Sequence, residues 1–188
     1  MTSRTPKNRR PLAVAAAVLA AALVVAVVTT TTTGRAGGDA SSVAFDRETG
    51  VLDFRASTFT GDTVDSSELR GTPVVLNFYA SWCAICDREL PDFQRVSERL
   101  DGAVRVIGVN PQSNDTDDAQ AAMIARNGVT FPTLRDPSDE LLRQFNLTGG
   151  LPTTVFVDAD GRVRKVHNGL LTEQLLLDEI RTSFGVGT

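Results

Sequence analysis

The sequence predicts an α/β fold preceded by an N-terminal extension, and three features of the chain carry this prediction. Residues 74–79 (VVLNFY) are a short run of β-forming residues introduced by Gly71-Thr72-Pro73, which is typical of a buried strand. Over residues 84–100 apolar side chains recur every three to five positions, as they do on one face of a helix. A second apolar run at 104–109 and a helical pattern over 115–127 continue the alternation of strand and helix.

The first helix is predicted to begin directly after the first strand, at Cys83 and Cys86. Its apolar positions are Ile85, Leu90, Phe93, Val96 and Leu100. Because proline inside a helix removes a backbone hydrogen bond, we expect a bend at Pro91. The second helix ends at Gly128, a residue that is common just beyond helix C-termini.

The C-terminal part of the chain predicts a hairpin followed by a closing helix. The pattern indicates a short helix at 141–145, a strand at 153–157, a turn at 158–161, a return strand at 162–167 and a helix at 172–184. No internal repeat is present. At 188 residues the chain has room for one ordinary domain beside the N-terminal extension, and this domain is predicted over residues 43–188.

The N-terminal extension has the pattern of a signal-anchor. Residues 12–28 are seventeen Leu, Ala and Val residues, and a threonine run extends the predicted transmembrane helix to 12–33. Residues 1–11 carry four basic side chains and are predicted to remain in the cytoplasm, while 34–42 are predicted to be a flexible linker. We therefore expect a single-pass protein of the cell membrane whose domain lies on the extracytoplasmic side.

Two alternatives for this extension follow from the same residues. Small residues at 36–40 leave open a signal peptide that is cleaved, which would release a secreted protein. A lipid anchor is excluded because it requires a cysteine just after the apolar run, and both cysteines lie far downstream.

The charge distribution excludes nucleic acid as a partner. Residues 1–40 hold five of the nineteen basic residues and one of the twenty-three acidic ones, so the remainder has 14 basic and 22 acidic groups, a net charge of −8. Binding to phosphates requires clustered Lys and Arg, which this acidic region lacks.

Cys83 and Cys86 are the only cysteines, and their spacing favours redox chemistry. A disulfide that closes so small a loop constrains the unfolded chain very little, so a purely structural bond is disfavoured. At a helix N-terminus, Cys83 can ionise to a thiolate and Cys86 can resolve a mixed disulfide. Structural zinc needs four ligands, and the chain offers these two cysteines and one histidine. We predict no metal and no cofactor.

The segment around the cysteines, Asn77-Phe78-Tyr79-Ala80-Ser81-Trp82-Cys83-Ala84-Ile85-Cys86, resembles the active-site stretch of TlpA/ResA-like (DsbE/CcmG-like) membrane-anchored thioredoxins. The resemblance extends over about 130 residues and includes Phe131-Pro132-Thr133 and Gly150-Leu151-Pro152-Thr153-Thr154. It implies a thioredoxin-like fold with a central mixed β-sheet flanked by helices.

The same resemblance implies roles for individual residues. Pro152 would be a cis-proline facing the disulfide, Leu151 would pair through its backbone with an extended substrate, and Trp82 would border the substrate groove. Glu89 matches the acidic residue that ResA-like reductases place near the cysteines, so it is the candidate proton acceptor. A solvated helix position is the alternative for Glu89. Ile85 departs from the family, which commonly has proline there.

The resemblance further implies a protein-disulfide reductase or oxidoreductase that acts on exported proteins. Its substrates would include the CxxCH haem-attachment site of apocytochrome c, and an integral-membrane protein of the CcdA/DsbD type would donate its electrons. The opposite direction, donation of disulfides to exported proteins, stays open. A Sco-like copper chaperone is a further alternative, although that family has CxxxC. A peroxidase is disfavoured because Ala80 replaces the peroxiredoxin threonine.

Overall fold

The computed structural model describes residues 42–46, 50–111, 114–145 and 150–186, with only the backbone described for 42–46. The predicted cytoplasmic segment 1–11, signal-anchor 12–33 and nearly all of the linker 34–42 lie outside these residues. Within the described ranges, no helix has both the length and the apolar character needed to cross a membrane.

A five-stranded mixed sheet with strand order β6-β5-β4-β7-β8 forms the centre of the domain. Its strands are β4 (Val74–Phe78), β5 (Arg105–Pro111), β6 (Thr133–Asp136), β7 (Thr153–Val157) and β8 (Val163–Asn168). β4 pairs in parallel with β5 and antiparallel with β7. All five residues of β4 are buried, as expected for an apolar run in a sheet covered on both faces. The prediction of a mixed sheet is confirmed.

A separate three-stranded antiparallel sheet precedes the central one and was not predicted. It consists of β1 (Ser42–Asp46), β2 (Val51–Ser57) and β3 (Thr63–Asp65), and a short 3-10 helix, Ser66–Leu69, follows it. β2 alternates between buried and exposed residues because only one of its faces packs on the core.

Four helices are described, α1 (Ala84–Leu100), α2 (Asp117–Arg126), α3 (Glu140–Gln144) and α4 (Glu173–Phe184). α1 continues through Pro91 without a break. α2 and α4 begin later than predicted because Thr116 and Thr172 act as N-caps, each accepting a hydrogen bond from a backbone N–H of the first turn.

The core lies on both faces of the central sheet. The residues of β4 and the following Tyr79 alternate between the two faces. Val75 and Tyr79 point to the face covered by α1 and α4, while Leu76 and Phe78 point to the other. Both cysteines belong to the first of these clusters. The fold thus places them at the C-terminal end of β4, where α1 begins.

Candidate redox-active site

Cys83 and Cys86 form a disulfide at the N-terminus of α1. Cys83 is the N-cap, and its Sγ accepts a hydrogen bond of 3.1 Å from the backbone N–H of Cys86. The positive end of the helix dipole and this N–H favour negative charge on Cys83 Sγ. The site is therefore built to stabilise a thiolate on the first cysteine when the disulfide is reduced.

The two cysteines differ in their exposure to solvent. Cys83 is 7% exposed, whereas Cys86 is fully buried beneath the first turn of α1. An incoming disulfide can reach only the sulfur that faces solvent, so the structure supports attack by Cys83 and resolution by Cys86.

Two exposed apolar side chains flank Cys83. Trp82 is 60% exposed and Ile85 is 47% exposed, unlike the apolar residues of the core. This position of Trp82 agrees with the predicted edge of a substrate groove. Tyr79, in contrast, is buried and shares a hydrogen bond of 2.9 Å with Thr133. Burial raises the pKa of its hydroxyl.

The Leu151–Pro152 peptide bond is cis, in agreement with the resemblance. β7 starts at the next residue, Thr153, which pairs with Phe78 at the end of β4. Leu151 and Pro152 therefore lie beside the point where the chain leaves β4 toward Cys83. Pro152 is buried and Leu151 is half-buried, so part of Leu151 is accessible at this rim.

Glu89 is fully buried, and the alternative of a solvated helix position is therefore wrong. One of its carboxylate oxygens accepts a hydrogen bond of 2.9 Å from Asn77 Nδ2, and the other accepts one of 3.1 Å from the backbone N–H of Leu171. Burial outweighs these hydrogen bonds and raises the pKa of Glu89 to about 7. Cys86 and Glu89 are one helical turn apart on the buried side of α1, so their side chains are neighbours.

The polar side chains beneath the disulfide form a small buried group. Asn77 pairs with Thr154 across β4 and β7, so both side chains lie on the α1 face of the sheet. Asn77 Oδ1 and Thr154 Oγ1 are buried without a hydrogen-bond partner among the described residues. A neutral amide at Asn77 leaves Glu89 as the acid–base group of this cluster.

Asp115 is a site residue that the sequence pattern did not indicate, since it stands at the first position of the helix predicted over 115–127. Asp115 instead accepts hydrogen bonds from both the backbone N–H and the hydroxyl of Ser81, two residues before Cys83. No local pattern could have indicated a contact between residues 34 positions apart. Asp117, in contrast, forms a surface ion pair with Arg135 at 3.0 Å.

His167, the only histidine, lies on β8 and is half-buried rather than fully on the surface. Its Nδ1 is 3.8 Å from Glu179 Oε1. In the described part of the chain, no three His, Cys, Asp or Glu side chains are grouped closely enough to hold a metal ion.

The fold and this site define the class of protein. A mixed sheet whose central strand leads into a CxxC disulfide at a helix N-terminus, with a cis-proline beside it, is the arrangement of a thioredoxin-like thiol-disulfide oxidoreductase. The AhpC/TSA family model matches residues 49–166, more than half of the chain, and the chain belongs to this family.

Curated relatives and solved structures agree with this class. The thiol-disulfide oxidoreductase ResA of Halalkalibacterium halodurans is 29% identical over 127 residues, which cover 67% of this chain and 70% of the relative. ResA of Geobacillus thermodenitrificans is 32% identical over 126 residues, covering 65% and 69%. The structure of a DsbF homologue from Corynebacterium diphtheriae superposes with a TM-score of 0.64 at 28% identity, covering 78% of this chain and 95% of that one. The protein is thus a thiol-disulfide oxidoreductase of ResA type.

Proposed function

We propose that this protein reduces disulfides of exported proteins on the extracytoplasmic side of the membrane. The observation that carries the direction is the buried carboxylate of Glu89, one turn from Cys86. With a pKa of about 7, Glu89 is partly ionised at neutral pH, and its negative charge then opposes formation of a thiolate on Cys86 and so disfavours the reduced form of the protein. Among thioredoxin-like proteins, the strong oxidants are those whose reduced form is stabilised. A carboxylate beside the cysteines has the opposite effect and favours a reductant.

The proposed reaction begins with the reduced protein. The Cys83 thiolate attacks one sulfur of the substrate disulfide, forming a mixed disulfide and releasing the other substrate sulfur as a thiolate, which takes up a proton. Cys86 then loses its thiol proton to Glu89 and attacks Cys83 Sγ. This second step releases the reduced substrate and leaves the Cys83–Cys86 disulfide seen in the structure. The protein dithiol supplies the two electrons that the substrate gains. The two substrate thiolates take up two protons from solvent, which balance the proton that Cys83 had already lost and the Cys86 proton that Glu89 now holds.

A pKa of about 7 suits Glu89 to this task. A base whose pKa lies near the ambient pH is partly ionised and can both accept a proton and give it up again. When the protein is reduced again, Glu89 can return the proton to the Cys86 sulfur. Glu89 thus serves both halves of the cycle.

The reduction potential tests the direction. The full-length protein would be equilibrated with defined ratios of reduced and oxidised glutathione or dithiothreitol, and the fraction of free thiol measured by alkylation. We expect a value near or below the roughly −270 mV of thioredoxin. A value near the roughly −120 mV of DsbA would contradict the proposal and support donation of disulfides instead.

The proposed location and partners follow from the sequence. The apolar segment 12–28 with preceding basic residues supports a membrane anchor with the domain outside the cytoplasm. The resemblance to ResA-like proteins supports the CxxCH site of apocytochrome c as a substrate and a membrane protein of the CcdA/DsbD type as the electron donor.

Labelling in intact cells tests the location. After mild reduction, a membrane-impermeant maleimide should modify Cys83 in cells that express the protein, whereas a cytoplasmic thiol protein expressed beside it should stay unmodified. Modification of Cys83 only after cell lysis would contradict an extracytoplasmic domain.

The substrate is tested with a peptide that contains an oxidised Cys-x-x-Cys-His segment. The reduced protein should reduce this peptide faster than a peptide of the same composition whose cysteines are bonded across a long loop. Equal rates on the two peptides would contradict a preference for the haem-attachment site.

A further inference from the structure

The loop that presents Cys83 to solvent is held by few hydrogen bonds. Its backbone leaves the sheet at Tyr79, whose N–H donates to Val109, and it turns where Cys83 N–H donates to Ala80. Between these two points stands Ser81, directly before the exposed Trp82. What binds Ser81 therefore controls how Trp82 and Cys83 are placed.

Asp115 binds Ser81 at two points. Its Oδ2 accepts a 2.7 Å hydrogen bond from the backbone N–H of Ser81, and its Oδ1 accepts one from the hydroxyl. Hydrogen bonds to an ionised carboxylate are about twice as strong as those between neutral groups, and two points of attachment restrict rotation.

Asp115 is itself held from the side of the sheet. Its carboxylate also accepts hydrogen bonds of 2.9 Å from Asn110 Nδ2 and from the backbone N–H of Thr116. Asn110 lies fully buried on β5 and donates with the same amide to the carbonyl of Tyr79. The loop is thus tied to β5 through Asp115 and Asn110.

The charge on this carboxylate persists at neutral pH. Partial burial raises the pKa of Asp115, but the hydrogen bonds from Ser81, Asn110 and Thr116 outweigh that effect and hold the pKa below its usual range. A negative charge is therefore hydrogen-bonded to Ser81, two residues before the cysteine that becomes a thiolate.

We propose that Asp115 is a positioning residue for thiol-disulfide exchange: through Ser81 it fixes the placement of Trp82 and Cys83, and its charge disfavours the Cys83 thiolate. This inference rests on exchange at Cys83 and deepens the proposed function, because a less stable thiolate makes the protein a stronger reductant. The described hydrogen bonds of Asp115 go to Ser81, Asn110 and Thr116, so Asp115 acts on Cys83 through the loop and through the electrostatic effect of its charge.

Two variants separate the effect of the Asp115 charge from the effect of its hydrogen bonds to Ser81. Asp115→Asn removes the charge while an amide of similar shape can still accept from the Ser81 N–H. Ser81→Ala keeps the charge and the backbone hydrogen bond but removes the hydroxyl contact. Asp117→Asn is the matched control, since it removes a neighbouring acidic charge that pairs with Arg135 instead of the loop.

The measurements are the pH dependence of Cys83 alkylation, the reduction potential, and kcat and KM for a protein disulfide. Asp115→Asn should lower the pKa of the Cys83 thiol and shift the equilibrium with glutathione about three- to tenfold toward the reduced form. At 29.6 mV for each factor of ten, this is a rise of roughly 15–30 mV in the potential. Ser81→Ala should raise KM about two- to fivefold without a change in the thiol pKa, since only the placement of Trp82 is loosened.

Asp117→Asn should leave all three quantities at their wild-type values. The proposal is overturned if Asp115→Asn lowers only the melting temperature and leaves the thiol pKa and potential unchanged, or if Asp117→Asn shifts them equally. If Asp115→Asn does not fold, Ser81→Ala provides the test, and an unchanged KM would overturn the claim that Asp115 positions Trp82 and Cys83 through Ser81. The wild-type potential tests the direction of electron flow, whereas differences between variants test Asp115, so either conclusion can fail alone.

Discussion

The buried carboxylate of Glu89 predicts an unusual dependence of stability on pH. Its pKa is raised by burial from an ordinary 4.5 to about 7 in the folded protein, while the unfolded chain keeps the ordinary value. Between these two values the folded state holds a proton that the unfolded state has lost. The free energy of unfolding therefore falls as pH rises from about 4.5 through about 7, opposite to the usual effect of a paired carboxylate.

The size of this effect follows from the difference between the two pKa values. At 1.36 kcal/mol for each pKa unit, it amounts to roughly 3 kcal/mol when the pH has risen above both values. Glu89→Gln removes the titration. Glutamine also fits the site, because a flip of the Asn77 amide presents its unpartnered Oδ1 to the new amide while the Leu171 N–H keeps its acceptor. The free energy of unfolding of the variant minus that of the wild type should therefore rise by roughly 3 kcal/mol between pH 4.5 and pH 8.

Urea unfolding of the oxidised protein at intervals from pH 4.5 to pH 8 measures this gain. Subtracting the two curves cancels the titration of every other group, including Asp136, whose pKa burial also raises. Glu98→Gln is the matched control, because Glu98 lies on the same helix but is exposed, so this variant should not show the gain expected of Glu89→Gln. A flat difference for Glu89→Gln as well would refute a proton held by a buried Glu89.

Three further predictions concern the site and its support. Glu89→Gln should move the pH profile of Cys83 alkylation in the reduced protein, since the acid–base group beneath the cysteine pair is lost, and an unchanged profile would remove Glu89 from the proton transfer. Gly108→Ala should lower the free energy of unfolding in urea by about 1–3 kcal/mol, because the new Cβ would stand 2.7 Å from both Thr133 Oγ1 and Tyr79 Cε1. A loss within experimental error would show that these two side chains can move away from the new methyl group. Phe93→Ala should cost about 3–5 kcal/mol, since Phe93 is fully buried in the cluster that holds the cysteines, and a loss below 1 kcal/mol would mean that this cluster collapses around the gap.

The parts of the fold that the sequence predicted are those with a strong local pattern. β4, α1 and β7 have long apolar runs or helical periodicity, and the structure places them within one residue of the prediction. β6 was missed because its four residues, TLRD, are too few and too polar to show a strand pattern. β2 does alternate between inward and outward residues, but it is held in place by pairing with β1 and β3, which no local signal indicates.

The candidate site divides in the same way. The cysteine pair and the position of Pro152 were predicted because a short motif specifies them. The burial of Glu89 could not be read from the helix, since it depends on how α1 is rotated against β4 and on the loop that supplies the Leu171 N–H. The contact of Asp115 with Ser81 joins two loops at the ends of adjacent strands, so it exists only once β4 and β5 are paired.

The measurement that tests the central claim most directly is the trapping of a mixed disulfide. Cys86→Ala removes the resolving thiol, so the variant should accumulate a covalent complex with a disulfide-bonded protein substrate, linked through Cys83. Digestion and mass spectrometry of the complex would identify the linked cysteine, and Cys83→Ala should give no complex because Cys86 is fully buried. A complex linked through Cys86 in the Cys83→Ala variant, with none formed by Cys86→Ala, would contradict the assignment of Cys83 as the attacking thiolate.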